Sequence, residues 1–220
     1  MNDLDTLILF GAESSICADV LETMHRASIK AAASILTGPA EWDMDGIGPV
    51  VQAENIPAQL RETPFVVPWL APGWRKERNE AALRLGLKPI DLLVDPTAVL
   101  PRAITIGPGC YINAGVVIGA QAELDAFVFI NRNASLGHHT RAEDYVSIGP
   151  GATVAARVRL GKGCFIGAGA TIASGVSIGA NSVVGSGASV YRDLPDNVLA
   201  VGNPFRIAKT GIAGYQGVGV

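Results

Sequence analysis

The sequence predicts an α/β N-terminal domain followed by an all-β, left-handed parallel β-helix of six-residue repeats. Three observations carry this. An aliphatic residue returns at every sixth position over the second half of the chain. A small or β-branched residue stands two places before it, and Gly, Asn or Asp often stands just after it. The first ninety residues lack this period and read instead as strands alternating with helices.

From Val94 the aliphatic column runs Leu100, Ile106, Ile112, Ile118, Leu124, Ile130 and Leu136, breaks at Ala142, and resumes from Ile148 to Val190. Sixteen of its seventeen positions are Val, Ile or Leu, with no insertion or deletion, so one structural unit is repeated without interruption. Each hexad is a short strand plus a turn, and three hexads make one triangular coil. Each aliphatic side chain points inward and stacks on its equivalent 18 residues later. The small residue (Cys110, Val116, Ala122, Ala134, Ala152, Cys164) faces inward too. The glycine that follows the aliphatic residue (Gly107, Gly119, Gly137, Gly149) is assigned to the turn, whose dihedrals a side chain would oppose. About five coils are expected, their strands paired in parallel around one core and capped at both ends. An amphipathic helix would need a period near 3.6, which the run does not have.

Earlier in the chain, Thr6–Phe10 reads as a buried strand, then Gly11 and a helix capped by Ser14 or Ser15 and ending near Arg26. Ser34–Leu36 and Pro64–Val67 read as further strands of a parallel sheet and Arg75–Leu85 as a second helix, with 38–60 as loop. A strand–Gly–helix start can hold a phosphate at the helix N-terminus. It can equally be a plain turn, and Glu13 is expected to repel a phosphate there. The domains are drawn as 1–90, a small Rossmann-like α/β unit, 91–206, the β-helix with its last loop, and a flexible tail, 207–220.

Composition narrows the class. Apolar residues make up 49% and charged residues 17% of the 220, enough for a core and against disorder. A net charge of −3 gives no footprint for nucleic acid. No apolar run reaches the ~18 residues that span a membrane, and the acidic N-terminus does not read as a signal peptide. Cys17, Cys110 and Cys164 are odd in number and widely spaced, which suits packed, reduced thiols in the cytoplasm.

The chemistry is expected where the repeat is least monotonous. Gly137-His138-His139-Thr140-Arg141-Ala142-Glu143-Asp144 holds two of the three histidines and the only failed aliphatic position. Both histidines fall on outward turn positions. Eighteen and thirty-six residues past His138 come Ala156 and Ser174, so small residues continue its corner. Pro150, Ala168 and Ser186 form a like column on another. A groove beside such corners could hold an extended ligand such as pantetheine, and packing of subunits would bring two corners together. Histidine is the side chain whose ordinary pKa, ~6.5, suits a general base at neutral pH. Attack on a thioester then needs no enzyme nucleophile, and backbone N–H groups can form the oxyanion hole. Adjacent His138 and His139 do not have the spacing of a three-histidine zinc site, and no metal is expected.

These residues resemble the sugar O-acyltransferase family of sialic-acid and bacillosamine pathways. The likeness rests on INRNASLGHH (130–139), VSIGPGATVAARVRLGKGCFIGAGA (146–170) and DLPDNVLAVGNPFR (193–206), and is strong from about Ile90 to Arg206. It implies a homotrimer that moves an acyl group from acetyl-CoA to an amino or hydroxyl group of a nucleotide-linked sugar. It implies His138 as catalytic base and Asn131 near the acceptor sugar. Ser147, Ala156, Ala168, Ser186 and Asn203 are implied along the cofactor, and Gly11 and Ala12 at the substrate. His139 stands where the family has an acid that orients the base, leaving Asp144 or Glu143 to take that part. The family's glycine-rich start is replaced by GAESSIC (11–17). A non-catalytic trimeric scaffold that keeps the fold is the alternative.

Overall fold

The computed structural model describes residues 5–39 and 47–220. The N-terminal unit is a four-stranded parallel sheet in the order β3-β2-β1-β4, made of β1 (Thr6–Phe10), β2 (Lys30–Leu36), β3 (Val50–Gln52) and β4 (Phe65–Val66). Helix α1 spans Cys17–Arg26 and α2 spans Pro72–Arg84, opening with proline where a missing N–H costs nothing. Of the stretch read as loop, residues 40–46 lie outside the described residues, while the remainder holds β3 and two single turns, Ala53–Asn55 and Ala58–Leu60.

From Leu92 the hexads form three parallel sheets. The register is 18 residues between stacked hexads: Ile130 pairs with Ile148, Leu136 with Val154 and Ala142 with Leu160, and it shortens to 16 where Val183 pairs with Leu199. Two faces carry five strands each, in keeping with about five coils. The aliphatic column is buried from Ile112 to Val190 and partly buried at Val94, Leu100 and Ile106, and Ala142 is also fully buried, between Leu124 and Leu160. Each such side chain taken out of water stabilises the coil by about 1.5–3 kcal/mol. Val198–Val201 extends the third face beside Val183 and Val184 and turns into an antiparallel strand, Arg206–Thr210, while Phe205 plugs the end of the core.

The glycines after the aliphatic position do a different job from the one expected. Gly119 and Gly149 have no left-handed dihedral; a Cβ on them would lie 2.5 Å from the backbone N of His138 and 2.7 Å from that of Ala168. They let successive coils approach. The left-handed residue comes two places later, at Gly109, Gly115, Gly151 and Gly163, and also at Asn133 and His139.

The third face explains where the N-terminal unit sits. Its outward residues Leu93, Tyr111, Phe129, Ser147, Phe165 and Val183 are buried, whereas outward Val117, Ser135, Glu123 and Arg141 on the other faces are exposed. Tyr111, Phe129 and Leu93 pack into one apolar cluster with Leu7, Leu9, Val20 and Met24. Arg75 of α2 crosses this junction fully buried. Its Nε donates to the Phe127 carbonyl (3.1 Å), Nη1 to the carbonyls of Trp69 (2.8 Å) and Leu70 (2.9 Å), and Nη2 to that of Tyr145 (2.7 Å). Burial pushes its pKa down to about 9, so it stays charged at neutral pH, held by carbonyl dipoles.

The tail does not hang free. Beyond Thr210 it folds back across the junction: Tyr215 stacks on Phe165 with ring centroids 3.7 Å apart, and the Val220 N–H donates to Asn181 Oδ1 at 2.8 Å. Glycines at 211, 214, 217 and 219 let it follow this path, Gly214 with φ of 145°. Among the described residues, no helix is long and apolar enough to cross a membrane.

Candidate active site

His138 and His139 stand exposed on one corner of the β-helix, as expected. His139 has φ of 57°, in the left-handed turn position that Gly or Asn fills in most hexads. This backbone turns its ring back on its neighbour. The two Nδ1 atoms lie 2.8 Å apart, with the rings edge to face at 82°. One Nδ1–H donates to the other Nδ1. When His138 is the donor, its Nε2 carries a free lone pair facing outward.

Neither acid takes the orienting part suggested above. Asp144 Oδ1 accepts from the Ala126 N–H at 3.1 Å and Oδ2 lies 3.8 Å from Lys162 Nζ. Glu143 accepts from the Lys162 N–H at 3.0 Å. Both brace turns of the corner that holds Phe127, Tyr145 and Gly163, and His139 is the partner of His138.

The corner column continues as expected. The Arg157 N–H donates to the His138 carbonyl at 2.9 Å, and the Gly175 N–H to the Ala156 carbonyl at 3.0 Å. Ala156 and Ala168 are half-buried and Ser186 is exposed. Their N–H groups make no hydrogen bond among the described residues. The corners thus present small side chains and spare backbone donors, which fits a chain carrying amide carbonyls, as pantetheine does. Asn203 is exposed in the loop beyond the last coil.

Ser147 is placed differently from what the resemblance implies. It is fully buried, donating to the Leu70 carbonyl at 2.6 Å and accepting from Arg75 Nη1 at 2.8 Å. It braces the junction and offers no outward surface, so it leaves the cofactor set. Asn131 is also buried, in a ladder where its Oδ1 accepts from Asn113 Nδ2 at 3.0 Å and from the Arg132 N–H at 2.8 Å. The Thr23 hydroxyl of α1 links Asn113 Oδ1 (3.5 Å) to Asp95 Oδ2 (3.1 Å), and Arg26 pairs with Asp95.

In the N-terminal unit, Gly11 and Ala12 are buried beneath a cleft of about 430 Å³ and do not line it; Ser14, Ser15, Trp69, Trp74 and Arg78 do. Gly11 is needed there at φ of 75°, where a Cβ would lie 2.7 Å from Arg78 Cδ, and its carbonyl accepts from Trp69 Nε1 at 2.7 Å. Glu13 does not face the cleft as a bare charge. It is 3% exposed, paired with Arg78 Nε at 3.0 Å and accepting from the Thr37 hydroxyl at 2.6 Å. The expected repulsion of a phosphate is removed by turning the carboxylate inward onto a cation. The Arg78 guanidinium lies 3.7 Å over the Trp69 ring. Trp69, Trp74 and Arg78 were not singled out from the sequence; the clue available was a cluster of two tryptophans and an arginine near the start of α2.

The three thiols are free and buried, and burial pushes those of Cys17 and Cys110 up to about 12 and that of Cys164 higher still. None is a thiolate at neutral pH.

Comparison with known proteins agrees with this architecture. Residues 157–192 match the family model described as the hexapeptide repeat of succinyl-transferase. PerB from Caulobacter crescentus, solved with CoA and GDP-perosamine, is 29% identical, with 94% of this chain and 99% of that one covered and a TM-score of 0.83. The chain has the architecture of a hexapeptide-repeat acetyltransferase. The acetyltransferase domain of PglB from Neisseria gonorrhoeae, solved with acetyl coenzyme A, shares the fold at 23% identity, with 93% and 99% coverage and a TM-score of 0.82. WeeI from Acinetobacter baumannii does so at 21% identity, with 92% and 99% coverage and a TM-score of 0.79. Comparison with curated proteins finds no match. The left-handed β-helix and the family resemblance read from the hexads both stand with these matches.

Proposed function

We propose that this protein transfers an acetyl group from acetyl-CoA to an amino group of a nucleotide-linked sugar, with His138 as general base. The observation that carries the reading is the His138–His139 contact at a corner of the β-helix, on a chain 29% identical to a protein solved with CoA and GDP-perosamine. Acetyl-CoA supplies the acetyl group as an activated thioester. His138 Nε2 takes the proton released by the attacking nitrogen and returns it to the departing sulfur, so no covalent acyl-enzyme is needed. His139 holds the required tautomer by accepting from His138 Nδ1, in place of a carboxylate.

The small corners at Ala156, Ala168 and Ser186, with Asn203 beyond them, are the surface along which the cofactor lies. The N-terminal unit carries the nucleotide part of the acceptor, with Ser14, Ser15 and Arg78 available to its phosphates. Asn131 shapes the acceptor side through its ladder instead of touching the sugar. The working form is a homotrimer, and the exposed apolar pair Val99 and Val117, 59% and 46% accessible and bridged on one face, is a contact surface for it. The compartment is the cytoplasm, where acetyl-CoA and reduced thiols coexist.

The test is acetyl transfer to a panel of UDP-, GDP- and dTDP-linked amino sugars, followed by release of free CoA thiol, alongside calorimetric titration with acetyl-CoA. Turnover on one of them that His138→Ala abolishes supports the reading. Absence of acetyl-CoA binding at millimolar concentration overturns it and favours the scaffold.

A further inference from the structure

The cleft above Gly11 has a second wall that belongs to the far end of the chain. Tyr215 and Gln216 line it together with Trp74 and Arg78. Their position is held at several points. The Ile212 N–H donates to the Asn197 carbonyl at 3.0 Å, Tyr215 stacks on Phe165 at an interplanar angle of 6°, and the Val220 N–H is bonded to Asn181. Gly73, in the first turn of α2, has no room for a side chain: a Cβ there would lie 2.5 Å from Val218 Cγ1 and the Val218 carbonyl. The tail is thus seated against the N-terminal unit by shape, and the cleft exists only because both walls are present.

The lining has a definite chemistry. Trp74 and Tyr215 are half-buried, leaving part of each ring open to a flat ligand. Arg78 is held by Glu13 through Nε alone, and its Nη2 makes no hydrogen bond among the described residues. Gln216 is exposed and brings a side-chain amide, a donor and an acceptor in one group. Aromatic faces, an amide and a partly committed guanidinium together suit a heteroaromatic ring with a polar edge, joined to an anion.

We infer that Tyr215 and Gln216 contact the nucleobase of the acceptor, so that the C-terminal tail is part of the acceptor site and sets which base it takes. The inference rests on the nucleotide-sugar reading above for the identity of the ligand. Its geometry stands apart from that reading.

The experiment compares the full-length wild type with Tyr215→Ala, Tyr215→Phe and Gln216→Ala. UDP, GDP and dTDP are titrated calorimetrically into each, and KM is measured for the best nucleotide-linked amino sugar and for acetyl-CoA. Losing one base stack is expected to weaken nucleotide binding and raise the acceptor KM by roughly tenfold or more. Tyr215→Phe, which keeps the ring, is expected to restore both, with KM for acetyl-CoA and the thermal midpoint unmoved. Gln216→Ala is expected to alter the order of preference among the three bases. The inference is overturned if no nucleotide binds the wild type, or if Tyr215→Ala binds as the wild type does. It is also overturned if both KM values and the thermal midpoint shift together, which marks a purely structural strap. A wild type that binds nucleotide but acetylates no nucleotide-linked amino sugar sinks the proposed reaction alone; loss of nucleotide binding in Tyr215→Ala then still upholds the tail as a wall.

Discussion

The Nδ1 atoms of His138 and His139, neighbours in sequence, lie 2.8 Å apart because His139 adopts the left-handed backbone of the turn. A single proton between them decides which ring has a free Nε2. Replacing His138 by alanine removes the base, and kcat is expected to fall by about 10²–10⁴-fold with little change in KM for either substrate. Steady-state kinetics on the best acceptor checks this.

His139 acts on the reaction through His138. His139→Ala is expected to cost roughly 10–100-fold in kcat, the usual scale for losing a group that orients an imidazole. His139→Asp restores an acceptor for the Nδ1–H and is expected to recover most of the loss. No loss with alanine would show that orientation does not limit the rate.

Arg75 and Ser147 join the two units. Arg75→Ala strands the carbonyls of Trp69, Leu70, Phe127, Tyr145 and Val146 together with the Ser147 hydroxyl. A buried acceptor left without its donor costs about 1–3 kcal/mol, so stranding several of them is expected to destabilise the junction strongly. Urea denaturation should show that loss, and lysine should rescue little because one ammonium cannot reach so many acceptors.

Asp95 sets an acid limit. Burial alone raises its pKa, but hydrogen bonds from Arg26, Thr97 and Thr23 outweigh this and leave it below the ordinary carboxylate value. A carboxylate with a depressed folded-state pKa contributes stability that is present above its unfolded pKa, ~3.9, and is lost as pH falls through the folded value. Thermal midpoints of the wild type are therefore expected to drop below about pH 4. Asp95→Asn should be less stable at neutral pH and flatter over that acid range.

Ala156 tests the cofactor corner. A bulky side chain there points away from the core, so Ala156→Leu should leave the thermal midpoint near that of the wild type. It should raise KM for acetyl-CoA by about tenfold, equivalent to ~1.4 kcal/mol of lost binding. An unchanged KM would place the cofactor elsewhere.

Much of the fold was legible because a repeat states its rule many times. The inward column from Val94 to Val190 follows from burial at a fixed period, and the strand at Thr6–Phe10 from an unbroken short apolar run. The docking face was also written in the chain, as outward Leu93, Tyr111, Phe129, Phe165 and Val183 recurring every third hexad. It is visible only when the sequence is read in eighteens instead of sixes. The histidine pair was found because it interrupts a monotonous pattern.

The sequence by itself determined the β-helix, its register, its core and the corner on which His138 stands, since these depend on contacts repeated at one spacing. Tertiary structure alone decided the partners of polar groups that meet across long separations. Glu13 faces inward because Arg78, 65 residues away, neutralises it. Ser147 is buried because Arg75 and Leu70 reach it, and the tail is seated because Phe165, Asn181 and Gly73 receive it. A hydrogen bond or ion pair of this kind leaves no period in the chain, so only the folded backbone brings its two ends together.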